Sequence, residues 1–318
     1  MKRLALSLLL SSFIIHPSSF AETNAVARGL AWLVAQQRPD GSWSTNVALN
    51  SLPVLAFLSA GHTLDDKPHG ERLNRAVRFI LSQQSPEGAF TNGGALMFGH
   101  GMTTLMLAEV AGMNDEGTKL TTHLNKAVHF ILRAQAIEKG DIHAGGWRYF
   151  PDSKDSDLAV SIWQIAALRA AITAGARVPT VSLERAARYI TRCKRPDGGF
   201  AYQPGGQPNQ GRTAAGMIAL RMCNQFESTA IDRGREWLKE HPLKWEDEYV
   251  YHSAFFCANI KLAFDEALLE RRQLPDGSWP APPNCVDETD AGPLYRTAMA
   301  ILALTARDHY LPVFMVND

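Results

Sequence analysis

A chain of 318 residues with 32 basic and 32 acidic side chains carries no formal net charge, so nothing in its charge asks for nucleic acid, and no nucleic-acid partner is expected. With 46% hydrophobic residues there is material for one sizeable core, and no Pro-, Gly- or Ser-rich linker divides the chain. A single domain over residues 22–318, monomeric, is therefore expected.

The chain opens with Lys2 and Arg3 before an apolar run from Leu4 to Leu10, which resumes from Phe13 to Ile15. Ser19 and Ala21 occupy the −3 and −1 positions of a small-residue cleavage site, so residues 1–21 are expected to be a signal peptide. Its apolar core is too short to span a bilayer, and the mature chain has no longer apolar run. The expected location is periplasmic or extracellular, with peripheral contact to a membrane surface left open.

Past the leader, one phrase recurs: Arg38-Pro39-Asp40-Gly41-Ser42-Trp43, Ser85-Pro86-Glu87-Gly88-Ala89-Phe90, Arg195-Pro196-Asp197-Gly198-Gly199-Phe200 and Leu274-Pro275-Asp276-Gly277-Ser278-Trp279. A degenerate copy, Gly145-Gly146-Trp147, follows an insertion. Pro fixes φ at the first turn position and Gly accepts positive φ, so the phrase is a tight stop after a helix, followed by a plugging aromatic. Each helix before it is amphipathic, as in Leu30, Trp32 and Leu33 or Ala76, Phe79 and Ile80. Gln36, Gln37, Gln83, Gln84 and Gln135 close these helices, where an amide can bond the last carbonyls or the following turn.

The second helix of each unit aligns without gaps: Ser51 to Leu58, Thr103 to Val110, Ser161 to Leu168, Thr213 to Leu220, Ser253 to Ile260 and Thr297 to Leu304. Every window opens with Ser or Thr, and its fifth and eighth positions are apolar, a single helix stripe. Six two-helix units cannot bury their faces alone and must stack on one another, in a closed ring or an open solenoid. Cys193 and Cys223 fall at opposite ends of one hairpin, Cys257 lies mid-helix and Cys285 in a distant loop, so four unpaired thiols are expected.

The helix, Gln, Pro-Asp-Gly-Ser-Trp order resembles the Gln-Trp repeat of squalene and oxidosqualene cyclases. The six-unit arrangement is also similar to protein prenyltransferase β-subunits, and the likeness runs from about Ala27 to Leu304. It implies an all-α fold, an α/α toroid of six helical hairpins with about twelve helices in inner and outer rings around a central cavity.

The resemblance also directs attention to the N-terminal ends of the Ser/Thr-led helices. Asp155-Ser156-Asp157-Leu158 resembles the Asp-x-Asp-Asp acid motif of squalene-hopene cyclases, in which the middle Asp protonates an alkene. Asp157 matches that Asp, Asp155 is the group that would tune it, and Leu158 replaces the last one. In prenyltransferases Zn²⁺ is held by Asp, Cys and His; the corresponding positions here are Asp157, Ala159 and His252, so no metal and no cofactor are expected. Binding residues expected around the cavity are His100, Trp147, Trp163, Arg212, Tyr251, His252 and Arg296, with Tyr249, Phe255 and Phe256 nearby.

Two functions from different classes follow. One is a terpene-cyclase-like toroid that binds an elongated apolar, isoprenoid-type small molecule, with Asp157 as general acid for protonation-initiated cyclisation. The other is a non-catalytic extracytoplasmic protein whose loop rim binds a protein or a polysaccharide. A polysaccharide lyase or hydrolase, pairing Asp155 or Asp157 with Asp247, ranks after both.

Overall fold

The computed structural model describes residues 24–94, 96–113, 118–226, 228–260, 264–308 and 310–314. In chain order its helices are α1 (Asn24–Gln36), α2 (Val47–Ser59), α3 (Gly70–Ser82), α4 (Leu96–Met113), α5 (Thr118–Ala136), α6 (Leu158–Thr173) and α7 (Thr180–Arg192). There follow α8 (Gln210–Met222), α9 (Thr229–Glu240), α10 (Val250–Asn259), α11 (Ala267–Glu270), α12 (Val286–Asp290) and α13 (Gly292–Leu304). The described residues contain no β-structure beyond isolated bridges.

The Ser/Thr-led windows form the inner ring: α2, α4, α6, α8, α10 and α13 pack in that order, and α13 returns to pack on α2. The ring is closed, not an open solenoid. Inner helices are buried on almost every side, as in α6, where Val160 to Leu168 are all buried. Outer helices bury one stripe only, as in α3 with Leu73, Ala76, Val77 and Ile80.

The repeated residues are the stitches between hairpins. The Gln37 amide donates to Gly41 O in its own turn (2.9 Å) and to Arg72 O on the next outer helix (3.1 Å). Gln84 repeats the double bond to Gly88 and His123, and Gln135 repeats it to Gly145 and Ser182. Gln273 donates to Gly277 O (2.9 Å) and to Ala25 O (2.8 Å), joining the last unit to the first. Gly277 (φ 93°) lies against the Arg28 carbonyl so closely that a Cβ would collide with it. Thr305 Oγ1 to Ser59 Oγ (2.8 Å) seals the same seam among the inner helices.

The Ser/Thr at the head of three windows also receives a hydrogen bond. Ser161 Oγ accepts Trp147 N–H (2.9 Å), Thr213 Oγ1 accepts Phe200 N–H (3.0 Å) and Thr297 Oγ1 accepts Trp279 N–H (3.4 Å). In the first two units Asn50 Oδ1 and His100 Nδ1 take that role for Trp43 and Phe90. A buried backbone N–H left unpaired is costly, and this accounts for a polar residue on otherwise apolar helices.

Two features depart from the repeat. The last outer helix, α11, has only four residues, and the short helix α12 is inserted ahead of α13. The four cysteines are free and buried, and burial pushes the Cys193, Cys223 and Cys257 thiols up to about 12. Residues 1–21, expected to be a signal peptide, lie outside the described residues. No helix among them is long and apolar enough to cross a membrane.

Candidate functional site

The N-terminal ends of the inner helices, the loops leading into them and α12 enclose a central cavity of about 540 Å³. Its walls differ. Ala48, Leu49 and Leu52 of α2 and Leu96, Phe98 and Met102 of α4 make one side apolar. Tyr202, Asn209, Arg212, Tyr249, His252, Asp287 and Glu288 make the other side polar. A mostly apolar pocket with a few converging polar groups is the usual form of a small-molecule site.

Asp157 is the N-cap of α6. Its Oδ1 accepts Val160 N–H at 2.7 Å, and its own N–H is held by Trp147 O at 2.8 Å. The residue has no exposed surface, and Oδ2 makes no hydrogen bond. Arg148 Nη1 stands 3.6 Å from Oδ2, a charge contact too long for a hydrogen bond. Burial pushes the Asp157 carboxyl up to about 7, against the lowering effects of Val160 N–H, the Arg148 charge and the nearby Tyr202 hydroxyl. Asp155 raises it too, but as the smallest contribution; its own side chain is half-exposed and takes a hydrogen bond from Gln203 (3.2 Å). Asp155 and Asp157 are not among the residues lining the cavity; Tyr149 and Tyr202 are, with their hydroxyls bonded to each other at 2.8 Å, and the Tyr202 hydroxyl acts on the Asp157 carboxyl. The guanidinium of Arg148 lies 5.0 Å from the Tyr149 ring centre and 5.4 Å from that of Tyr202.

A second buried carboxyl, Glu288 of α12, had no counterpart in the repeat. Tyr249, at the cap position of α10, is left-handed (φ 56°) and gives that helix no side-chain cap; its hydroxyl bonds Asp287 Oδ2 at 2.7 Å. Glu288 supplies the missing cap from another helix, accepting His252 N–H (2.9 Å) and Tyr251 N–H (3.3 Å). Burial pushes its carboxyl up to about 7. His252 is buried, its Nε2 has no hydrogen-bond partner, and burial with the Arg212 charge pushes it down to about 4.

Of the expected binding residues, Arg212 and His252 line the cavity, as does Ala159. The other five sit in the packing of the ring. His100 accepts Phe90 N–H through Nδ1, which assigns the proton to Nε2 facing Ala127 O (3.1 Å), and burial pushes it down to about 4. Trp147 is buried with Nε1 donating to Ile131 O. Trp163 is buried and stacks on Phe255, with ring centres 5.7 Å apart. Tyr251 donates its hydroxyl to Pro280 O (2.7 Å). Arg296 braces α12 through the main-chain carbonyls of Glu288 and Thr289, both at 3.0 Å. Their place is physical: a long side chain at the base of a closely packed inner helix meets its neighbour before it meets the lumen. Tyr202, Asp287, Glu288 and Tyr295 line the cavity without having been expected; the Asp287-Glu288 pair ahead of the last inner helix was the one available signal.

A Zn²⁺ site does not fit these residues. Asp157 Oδ1 is taken by the helix, Ala159 stands where a thiolate would be needed, and no group of three or more ligating side chains that could hold a metal occurs among the described residues.

The model of the prenyltransferase alpha-alpha toroid domain matches residues 33–249. The chain belongs to that family. Among curated proteins it is similar to a drimenyl diphosphate synthase of Streptomyces showdoensis, at 26% identity over 182 residues, 57% of this chain and 32% of the relative. The chain thus spans about a third of that relative's length. In structure it is similar to a type II terpene cyclase variant from Scytonema in complex with merosterolic acid A, with a TM-score of 0.58 and 16% identity over 91% of this chain and 97% of that one. An inactive α-1,6-mannanase variant of Salegentibacter sp. HEL1_6 in complex with α-1,6-mannotriose overlays with a TM-score of 0.65 and 9% identity, covering 90% and 98% of the two chains. These two likenesses establish the toroid, a fold that serves more than one chemistry.

Proposed function

We propose that this terpene-cyclase-like toroid binds an elongated, isoprenoid-type molecule in its central cavity and that Asp157 is the general acid starting its cyclisation. The observation that carries the reading is the buried Asp157 carboxyl, whose Oδ2 caps no helix, beside Tyr202, which lines the cavity and whose hydroxyl bonds that of Tyr149. Protonating an alkene requires a neutral carboxylic acid, and burial supplies one up to about neutral pH. The Tyr pair must part for the alkene to reach Oδ2. The aromatic rings of Phe98, Tyr149, Tyr202 and Tyr295 on the cavity wall suit the cationic character that develops afterwards. Incubation of the mature protein with squalene and shorter polyprenes should give cyclic products that Asp157→Asn loses. Binding without products from any polyene would leave the toroid a binding protein.

Delivery of such a ligand fits the rim. Ile142, Phe150 and Val286 are 56%, 57% and 73% exposed, and they lie on the two segments, 140–155 and α12, that also supply Tyr149, Asp287 and Glu288 to the cavity. We place this apolar rim against a membrane surface, reached after export by the N-terminal leader. Cosedimentation with lipid vesicles, lowered by Phe150→Ser with Val286→Ser, tests the rim. The N-terminal mass of the protein from the extracytoplasmic fraction tests the leader, expected to end at Ala21.

A further inference from the structure

Resting on the isoprenoid reading, the polar wall of the cavity specifies the head of the ligand. Arg212 is the one cationic side chain among the residues lining the cavity, and it shares that wall with the carboxyl groups of Asp287 and Glu288. A diphosphate carries several negative charges into a low-dielectric space, where one guanidinium against two carboxyl groups gives no net attraction. A bare hydrocarbon fails for the opposite reason, because it would strip water from Arg212 and Asn209 and offer nothing in exchange.

The His252 ring narrows the choice further. It lines the cavity and is more than nine-tenths buried; Nε2 has neither accessible surface nor a partner, so a head group meets it only once the ring turns toward the lumen, while the main-chain N–H is fixed by Glu288. A neutral imidazole needs one donor and one acceptor partner, and which nitrogen bears the proton is open; a hydroxyl group satisfies either tautomer. Its oxygen can at the same time accept from the Arg212 guanidinium. Arg212 spends one donor on Gln207 O (3.4 Å) and lies 5.4 Å from the Tyr202 ring centre, which leaves further N–H groups for a ligand, whereas Tyr249 is paired with Asp287 and Glu288 with the start of α10.

We propose that the ligand is an isoprenoid bearing an uncharged hydroxyl head, an alcohol in place of a hydrocarbon or a diphosphate, seated between Arg212 and His252 with its chain along α2 and α4. Arg212 and His252 then select the substrate, and Asp157 acts elsewhere on the chain.

Calorimetric titration of the full chain with farnesene, farnesol and farnesyl diphosphate compares three heads on the same isoprenoid chain. Farnesol should bind about tenfold or more tighter than either of the others, the scale of a satisfied polar pair in a dry site. His252→Phe, which keeps an aromatic ring but no nitrogen, should bring farnesol down to the farnesene affinity and leave farnesene unchanged. Arg212→Met should do the same by an independent route if the first variant does not fold. Tighter binding of the diphosphate, equal binding of farnesene, or indifference of farnesol to both substitutions overturns the proposal and spares the cavity reading. No binding of any of the three overturns the cavity reading itself and this inference with it.

Discussion

Asp157 and Glu288 are two answers to one local problem. Each is a buried carboxyl at the start of an inner helix, each accepts backbone N–H groups there, and burial pushes each up to about 7. Asp157 caps its own helix with one oxygen and keeps the other unbonded beside Arg148. Glu288 reaches across from α12 and uses both oxygens, because Tyr249 has turned left-handed and abandoned the cap of α10. A shifted pKa alone therefore does not distinguish the two; the oxygen that caps no helix is what favours Asp157 as the proposed acid.

The largest effect should come from Asp157→Asn. The amide oxygen still accepts Val160 N–H, so the cap and the melting temperature should hold while product formation falls by roughly 10²- to 10⁴-fold, the worth of a general acid. Product analysis beside a thermal melt separates the two outcomes, and loss of folding in Asp157→Asn would break the contrast with Glu288.

Glu288→Ala should behave in the reverse way, primarily as a stability change. It leaves two N–H groups at the α10 terminus unpaired, at about 1–3 kcal/mol each, read by urea unfolding. Glu288→Gln, which keeps one acceptor, should recover part of that loss.

The pH dependence comes next. Both carboxyls have folded-state pKa values raised above the unfolded range, so the unfolded chain gives up its protons first as pH rises. Their contribution is fully present below about pH 4 and declines through about pH 7, so unfolding at pH 5 should need more urea than at pH 8. Asp157→Asn should flatten part of that difference. Cyclisation, needing the neutral acid, should fall off in the same window.

The smallest effect is on position rather than size. Arg148 lowers the Asp157 pKa, so Arg148→Met should move the alkaline limb of the activity profile to higher pH by about one unit or less. A shift to lower pH would show that Arg148 is not acting through charge.

The architecture was legible because it is repeated. Gln37, Gln84 and Gln135 could be read as closing their own turns, although their second bond, to the next outer helix, could not, and the six windows with the family likeness pointed to the inner ring. The lining of the cavity was not legible in the same way. On an inner helix buried all round, such as α6, no polar stripe separates the face toward the lumen from the face toward a neighbour, so Trp163 and Tyr251 looked like pocket residues and proved to be packing. Glu288 was hidden for a different reason: its partners lie 36 and 37 residues away in the chain, on a helix whose own cap position reads as an ordinary Tyr. Asp157 drew attention through its motif, but its burial and the lack of a hydrogen bond to Oδ2 were not legible there.

The central claim is that a proton from Asp157 starts a cyclisation in this cavity. Running the reaction with isoprenoid substrates in deuterated water and analysing the products by mass spectrometry tests it most directly. The account predicts a cyclic product carrying one solvent deuteron, absent with Asp157→Asn. A cyclic product without solvent deuterium, or one that survives Asp157→Asn undiminished, would contradict it.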